Sequence, residues 1–258
     1  MAATVFYLNP LPGVGGTAVL DGKEGHHAAT VRRIRVGEQI VLSDGAGTVA
    51  DTEVTAVERD RLELTVLSRS EVSRPEPTVG LVQALPKADR SELSVELATE
   101  AGIDSIVPWQ ASRCVARWEG AKAAKGVARW RNVAAAASKQ SRRPFVPKVD
   151  DLHDTTAVVE LVRTVVDRGG VVAVLHESAT EDFATLPFRA AHEVLLVVGP
   201  EGGLDGREIE RLTTAGATPV VLGPRVLRTS TAGAVALGAL GVLTGRWTQT
   251  PLESRGAS

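Results

Sequence analysis

Two glycine-rich segments in the second half of the 258-residue chain have the residue types of ligand-binding loops. The first is Gly199-Pro200-Glu201-Gly202-Gly203, and the second, residues 222–229, is Leu-Gly-Pro-Arg-Val-Leu-Arg-Thr. Glycine lets a ligand lie directly against backbone N–H and C=O groups. For either segment taken alone, a strained turn that binds no ligand remains the alternative.

The chemistry that these loops favour is recognition of a ligand without phosphate groups. Neither loop matches the Gly-x-Gly-x-x-Gly pattern of dinucleotide-binding proteins, and the sequence contains no Gly-Lys-Ser or Gly-Lys-Thr phosphate loop. A ligand that is recognised through its adenosine and amino-acid ends fits this pattern better.

The segments before the loops predict how the loops are positioned. Residues 171–175, 194–198 and 219–222 are continuous runs rich in valine and leucine, which are typical of strands buried on both faces of a parallel sheet. They alternate with segments of helical period, so the sequence predicts an α/β fold. Ligands in such sheets bind at the carboxyl ends of strands, and we therefore expect the loops that follow these strands to form one site.

The first part of the chain has a different pattern. Short β-type runs at residues 41–42, 49–54 and 62–67 are separated by turn residues. Pro75 and Pro77 then follow among polar residues, which neither a helix nor a central strand accommodates well. The sequence therefore predicts a small β-rich domain over residues 1–73 and an α/β domain over residues 74–258.

Composition and charge exclude several classes of protein. The hydrophobic content of 43% supports a packed core, and the net charge of −2 by itself indicates no nucleic-acid partner. No apolar run approaches the roughly 20 residues of a membrane-spanning helix. A single cysteine, Cys114, and the lack of a secretory signal indicate a soluble protein of the reducing cytoplasm.

No metal is expected. His26 and His27 are adjacent, so their side chains diverge, and no third ligand is near them in the sequence. The acidic segment 150–154 is explained more simply by Asp154 as a helix N-cap. Asp205 is a second predicted N-cap, with Glu208 at the spacing of a capping box.

Short motifs occur along nearly the whole chain in a specific order. They are His26-His27 with residues 31–37, Gln83-Ala84-Leu85-Pro86-Lys87, residues 96–103, Arg129-Trp130, residues 140–143 with Val146-Pro147, Leu175-His176-Glu177, and the two glycine-rich loops. In this order and spacing the chain resembles the bacterial 16S ribosomal RNA uridine N3-methyltransferases of the SPOUT superfamily.

The resemblance implies both a fold and an activity. The fold would be a PUA-like, OB-type β-barrel followed by a parallel-sheet SPOUT domain with a deep trefoil knot, and the protein would be a homodimer. The activity would be methylation of N3 of a specific uridine in 16S RNA of the small ribosomal subunit, with S-adenosylmethionine as cofactor. A methyltransferase of the same fold acting on another RNA such as tRNA, and a non-catalytic ribosome-assembly protein, are the alternatives.

The resemblance also predicts the residues of the site. Cofactor-binding residues would be Leu175, His176, Glu177, Val198, Gly199, Pro200, Gly202, Gly203, Leu222, Gly223, Leu227, Thr229, Thr231 and Ala232. Loss of the proton on uracil N3 spreads negative charge over O2 and O4, and Arg228 is the residue expected to stabilise it. Glu201 is the candidate base, and fixing the loop is its alternative role.

The predicted RNA contacts follow the positive charge. Ten basic residues between Arg113 and Lys148 accompany one acidic residue, Glu119, which favours phosphate contacts over the alternative of a solvated helix face. The expected RNA-binding residues are Arg32, Arg33, Arg35, Lys139, Arg142 and Arg143. Trp130 is the first candidate among the tryptophans for stacking on a base.

Two positions depart from the family pattern. The family commonly has Glu where Ser230 and Lys139 stand in this chain. A serine hydroxyl makes a hydrogen bond but is no carboxylate base, so roles of those glutamates do not carry over.

Overall fold

The computed structural model describes residues 5–248, apart from the side chains of residues 88 and 89. The described chain separates into two compact units. The first contains residues 5–74 and 138–146, and the second contains residues 75–137 and 147–248. Within the described part, no helix is long and apolar enough to span a membrane.

The first unit is built on a five-stranded sheet, as the β-type runs predict. Its strands are β1 (Val5–Tyr7), β2 (Thr17–Leu20), β3 (Gln39–Ser43), β4 (Thr48–Glu58) and β5 (Arg61–Glu71). They lie in the order β1-β3-β4-β5-β2, with β1 parallel to β3 and every other pair antiparallel. Helix α1 (Gly22–His26) continues into a π-helical turn, His27–Val31. Along β5 the residues Leu62, Leu64 and Val66 are buried in alternation, which is typical of a strand with one face on the core.

Segment 138–146 completes the first unit from far along the sequence. The Tyr7 hydroxyl donates a hydrogen bond of 2.7 Å to the carbonyl of Arg143, and Val146 N–H donates one of 2.9 Å to the carbonyl of Gly45. Phe145 is buried, and its ring lies so close to Gly47 that a Cβ there would be 2.4 Å from it. The first unit is therefore discontinuous in sequence.

The second unit is a parallel α/β domain, which confirms the predicted fold class. Its strands are β6 (Thr78–Ala84), β7 (Ser105–Trp109), β8 (Lys148–Val149), β9 (Val171–Leu175), β10 (Glu181–Asp182), β11 (Glu193–Val198) and β12 (Thr218–Val221). The sheet order is β10-β12-β9-β11-β6-β7-β8, and every pair is parallel. Its helices are α2 (Ala88–Glu100), α3 (Ala121–Gln140), α4 (Thr155–Asp167), α5 (Gly206–Thr214) and α6 (Thr229–Thr244).

Side-chain caps fix the starts of two helices where the sequence predicts them. The Asp154 carboxylate accepts a 2.8 Å hydrogen bond from Ala157 N–H at the start of α4. Asp205 and Glu208 form a complete capping box at the start of α5. Helix α2 begins at Ala88, and no side-chain cap marks its start.

The register of the sheet brings the glycine-rich loops together. Leu175, at the end of β9, pairs with Val198 of β11 on one side and with Val220 of β12 on the other. The carboxyl ends of these three strands are therefore neighbours, as the strand pattern predicts.

Candidate functional site

A first cavity of about 280 Å³ lies at the carboxyl ends of β9, β11 and β12. The lining residues are Leu175, His176, Glu177, Val198, Gly199, Pro200, Gly203, Leu204, Val221, Leu222, Gly223, Pro224, Arg225, Val226, Leu227, Thr229 and Ala232. Its volume is close to the lower limit of about 300 Å³ that is usual for small-ligand sites.

The structure brings together most of the residues that the sequence predicts as cofactor ligands. All of them line this cavity except Gly202, which lines the neighbouring cavity, and Thr231, which lines neither. The Thr231 hydroxyl instead donates a 3.1 Å hydrogen bond to the carbonyl of Arg228 at the start of α6. The prediction missed Leu204, Val221, Pro224, Arg225 and Val226. These residues lie within or directly beside the glycine-rich loops. A prediction that included every residue of each loop and its immediate neighbours would have found them.

Backbone and apolar groups form most of the wall of the first cavity. A Cβ at Gly199 would lie 3.0 Å from the Leu204 side chain, and Gly223 has a φ of +91° that side chains disfavour. His176 is oriented by Ser178, whose N–H donates a 3.2 Å hydrogen bond to Nδ1, so the neutral ring carries its proton on Nε2. The cavity therefore suits a ligand held by backbone groups and apolar contact.

A second cavity, of about 560 Å³, adjoins the first. The two share the wall residues His176, Glu177, Pro200, Gly203, Leu204, Val226, Leu227 and Thr229. Three guanidinium groups reach the second cavity from separate parts of the chain: Arg90 in the first turn of α2, Arg113 in the loop after β7, and Arg228 at the start of α6. The wall of the second cavity thus has three arginines, whereas the wall of the first has one, Arg225.

Both predicted catalytic residues, Arg228 and Glu201, line the second cavity. Arg228 is exposed, and within residues 5–248 its guanidinium makes no hydrogen bond or ion pair. The Glu201 carboxylate accepts a 3.1 Å hydrogen bond from the N–H of Lys87 and so ties its loop to the start of α2. That contact matches the alternative, loop-fixing role of Glu201.

Ser230 lies in the wall of the same cavity, two residues after Arg228. It is only 3% exposed, and its hydroxyl has no hydrogen-bond partner among the residues that the structure describes. Unpaired buried hydroxyls are uncommon in native proteins.

Comparison with known proteins assigns the chain to a family. Residues 74–241 match the RNA methyltransferase domain family, and residues 20–67 match the RNA methyltransferase PUA domain. This chain belongs to the RNA methyltransferase family. The resemblance found in the sequence is thereby confirmed.

Sequence similarity to two relatives of this methyltransferase extends over almost the whole chain. It is 54% identical to the ribosomal RNA small subunit methyltransferase E of Mycobacterium bovis, over 96% of this chain and 94% of the relative. Its identity to the enzyme of the same name in Bacillus subtilis is 34%, over 87% of this chain and 89% of the relative.

Two solved structures have the same fold. One is a methyltransferase of Legionella pneumophila in complex with S-adenosylmethionine, with a TM-score of 0.82 and 27% identity over 95% of this chain and 99% of that one. The other is a ribosomal RNA small subunit methyltransferase E of Neisseria gonorrhoeae bound to S-adenosylmethionine, with a TM-score of 0.82 and 27% identity over 94% and 98%.

A buried carboxylate anchors the end of the first glycine-rich loop of the methyltransferase. Glu208 is 4% exposed and accepts hydrogen bonds from Ser112 N–H at 2.9 Å, from the Ser112 hydroxyl at 3.0 Å and from the Thr155 hydroxyl at 3.0 Å. The Ser112 hydroxyl also lies 2.7 Å from Asp205, and this hydrogen bond, followed by that of the Glu208 N–H, holds the pKa of Asp205 below its usual value. The capping box is predictable from sequence, but Ser112 and Thr155 are not.

Arg113 extends this support to the cavity wall. Its Nη1 donates to the carbonyls of Gly202 and Leu204, each at 3.3 Å. The loop after β7 therefore holds the loop that separates the two cavities.

The residues predicted to bind RNA all lie in the first unit. Arg32, Arg33 and Arg35 are exposed, and Arg33 and Arg142 have positive φ values of 54° and 56°. Left-handed backbone is uncommon for arginine.

Lys139 has a partner inside the first unit. Its ammonium group lies 2.7 Å from the Glu24 carboxylate, with 20% of the lysine side chain exposed, and 4.7 Å from the centre of the Phe6 ring. The structure therefore favours a structural role for Lys139, because its charge is neutralised where it stands.

Some of the basic residues around α3 are also engaged by other groups of the chain. Arg131 lies 3.0 Å from Asp151, Lys148 lies 2.6 Å from Asp150, and Arg117 donates to the carbonyl of Ser112 at 2.8 Å. The local excess of positive charge is therefore smaller in the folded chain than in the sequence.

Trp130 is a core residue. It is 1% exposed, and its ring nitrogen donates a 2.9 Å hydrogen bond to the Ser91 hydroxyl. The interpretation that it stacks on a base is wrong, because its ring is enclosed by α2 and α3.

The histidine and cysteine side chains have ordinary structural surroundings. His26 Nδ1 lies 2.7 Å from the Asp60 carboxylate, and burial raises the pKa of the Cys114 thiol. Within residues 5–248, no group of three or more His, Cys, Asp or Glu side chains could hold a metal ion.

Proposed function

We propose that this methyltransferase transfers a methyl group from S-adenosylmethionine to N3 of a specific uridine in 16S RNA of the small ribosomal subunit. The observation that carries the proposal is the pair of adjoining cavities, one built from backbone loops and the other lined by arginines. The names of the relatives support the small-subunit substrate, and the family resemblance supports uridine N3.

The first cavity is the proposed cofactor site. The residues that would hold the cofactor are Leu175, His176, Glu177, Val198, Gly199, Pro200, Gly203, Leu222, Gly223, Leu227, Thr229 and Ala232. The wall fits a nucleoside without phosphates, because backbone groups dominate it and the Glu177 carboxylate can accept from an amino group. S-adenosylmethionine supplies a methyl group on a positively charged sulfur, and its transfer leaves a neutral thioether. A trefoil knot of these loops is part of the same proposal.

Arg228 is the proposed catalytic residue. Breaking the N3–H bond leaves negative charge on the O2 and O4 atoms of uracil, and a guanidinium beside them stabilises that charge. Leu227 and Thr229, the neighbours of Arg228, line both cavities, so Arg228 lies at their junction. The proton leaves to Glu201 or to water, and the hydrogen bond of Glu201 to Lys87 favours its loop-fixing role.

The first domain, proposed as residues 1–73, would dock the RNA for the methyltransferase domain over residues 74–258. Arg32, Arg33 and Arg35 are exposed in this domain, Arg142 is exposed in the segment 138–146 of the same compact unit, and all four are suited to phosphate contacts. Its match to a PUA domain of RNA methyltransferases supports this role. Because ribosomal RNA is the substrate, we place the protein in the cytoplasm.

A homodimer is the proposed assembly. Val235 and Val242 lie seven residues apart on α6 and are 46% and 72% exposed, and Trp247 packs over Gly241 beside them with 56% of its surface exposed. These residues form an apolar strip that a second copy of the chain would cover. Light scattering should give the dimer mass for the wild type and the monomer mass for Val242→Glu.

Methyl transfer tests the function directly. The purified protein is incubated with labelled S-adenosylmethionine and either naked 16S RNA, small subunits or tRNA, and the nucleosides are separated by mass spectrometry. We expect N3-methyluridine in 16S RNA. Methylation of tRNA alone would support the second methyltransferase hypothesis, and cofactor binding too weak for calorimetry would support the non-catalytic one.

A further inference from the structure

The two helices that contribute first-turn residues to the second cavity begin with basic residues. Helix α2 has Lys87 at its N-cap and α6 has Arg228, and neither side chain caps its helix. Helices α4 and α5 begin instead with Asp154 and Asp205, whose carboxylates accept backbone hydrogen bonds. A helix start carries partial positive charge, so acidic or polar caps are the usual choice. Arg228 lines the second cavity, so the start of α6 adds positive charge to its wall.

The side chains of the wall reinforce this charge. Arg90 is the third residue of α2, where a capping box has Glu or Gln. Arg113 uses Nη1 for its two carbonyl contacts, which leaves the Nη2 and Nε hydrogens for a ligand. Two carboxylates, Glu177 and Glu201, face the three guanidinium groups, and Glu201 is engaged by a backbone N–H. The balance of the wall remains positive.

Arg228 differs in position from Arg90 and Arg113, and this difference indicates different roles. Arg228 lies at the junction with the first cavity, whereas α2 and the loop after β7 contribute no residue to that cavity. Arg90 and Arg113 therefore reach the second cavity from segments away from the cofactor loops. Planar guanidinium groups match phosphate oxygens through paired hydrogen bonds.

We propose that Arg90 and Arg113 bind phosphate groups of the RNA backbone next to the acceptor nucleotide. N3 lies on the pairing edge of uracil, so the base must leave its stack to meet a methyl group, and its sugar and phosphates then lie just outside the base. The second cavity, with twice the volume of the first, receives this nucleotide while Arg228 faces its base. This inference rests on the proposed function and adds the two residues that bind the phosphates of the RNA backbone.

The salt dependence of catalysis tests these ligands. We would measure kcat/KM on small subunits from low to high KCl for the wild type, Arg90→Gln, Arg113→Gln and Arg90→Lys. The control is Arg163→Gln, which removes an exposed arginine of α4 that pairs with Glu160 and lines neither cavity. Calorimetry gives the affinity of each variant for S-adenosylmethionine, and thermal unfolding gives its stability.

Each glutamine variant should lower kcat/KM and flatten the plot of log(kcat/KM) against log[KCl] by about 0.7 per lost contact with single-stranded RNA. Arg90→Lys should keep the wild-type slope because it keeps the charge. Cofactor affinity should stay within about twofold of wild type for Arg90→Gln, because Arg90 lines only the second cavity, whereas Arg113→Gln also removes the contacts to Gly202 and Leu204 and should weaken cofactor binding. Unchanged slopes in both glutamine variants, or a loss of cofactor affinity in Arg90→Gln equal to its loss of rate, would overturn the proposal.

Fluorescence anisotropy gives the binding constant for a 16S RNA transcript at each KCl concentration. This measurement keeps the test independent of turnover. If the wild type methylates no 16S RNA, the proposed function fails, yet the slopes of the binding constants still report on the two arginines. If the wild type is active and both slopes are unchanged, the phosphate ligands alone are refuted.

Discussion

The two cavities share part of their walls but are assembled in different ways. The first is made by three loops that follow neighbouring strands, so its backbone is positioned by the parallel sheet itself. The second takes Arg90, Arg113 and Arg228 from segments that only the complete fold brings together. The difference suggests a division in which the first cavity sets cofactor affinity and the second sets reaction with RNA. Substitutions in each cavity should then affect different steps.

Arg228→Ala should have the largest effect. Loss of one group that stabilises developing negative charge lowers the rate by about 10²–10³-fold. Cofactor affinity should change by less than about twofold, because the side chain belongs to the second cavity. Single-turnover methylation measures the rate, and calorimetry measures the cofactor affinity. A fully active Arg228→Ala enzyme would contradict the proposed division of roles between the two cavities.

Gly199→Val should show the opposite pattern to Arg228→Ala, with its main effect on cofactor affinity. A Cβ at Gly199 meets Leu204 at 3.0 Å, so the loop must shift and the wall of the first cavity with it. Overpacking of this kind lowers the free energy of unfolding by about 1–3 kcal/mol, and a displaced wall that loses about 1.4 kcal/mol of contact would bind the cofactor about tenfold more weakly. Gly206→Ala is the matched control, since a Cβ there meets nothing within 4 Å. Equal cofactor affinity in the Val and Ala variants would contradict the expectation.

Glu201→Gln distinguishes a base from a loop anchor. The amide oxygen of Gln can still accept the hydrogen bond of Lys87 N–H, so an anchoring role predicts a rate loss of only about two- to fivefold. A general base would lose about 10²–10⁴-fold. We expect the small effect at every pH, and a large loss in single-turnover rate would reassign Glu201 as the base.

Ser230→Ala should have the smallest effect on the fold. The hydroxyl has no partner within residues 5–248, so its removal should leave the free energy of unfolding unchanged or raise it by up to about 1 kcal/mol. Thermal unfolding measures the change, with Thr244→Ala as comparison because that hydroxyl donates to the carbonyl of Leu240. A clear fall in stability for Ser230→Ala would show that the hydroxyl is paired after all.

The first cavity was predictable from sequence because its determinants are local. Valine and leucine runs identify the buried strands, and the glycines directly after Val198 and Leu222 mark where backbone is accessible. The two exceptions have physical reasons: Gly202 packs against Arg113, and the Thr231 hydroxyl donates to the carbonyl of Arg228 within its own helix start.

The second cavity and the true distribution of charge were not predictable in this way. Arg90 and Arg113 line the second cavity together with a loop, residues 200–204, that lies far along the chain from both of them. The basic excess around α3 is reduced by acids such as Asp151, and Lys139 pairs with Glu24, 115 residues before it. Sequence shows the charges, but only the fold shows which of them are already paired.

Helix α3 begins in the second unit and ends in the first, so the chain passes between the units after residues 74, 137 and 146. The first unit is consequently not a continuous segment that could be exchanged at a single junction. A fragment ending at residue 74 would leave behind Phe145, which covers Gly47, and the carbonyl that Tyr7 bonds. A chimera that exchanges the first unit must therefore exchange both of its described segments together.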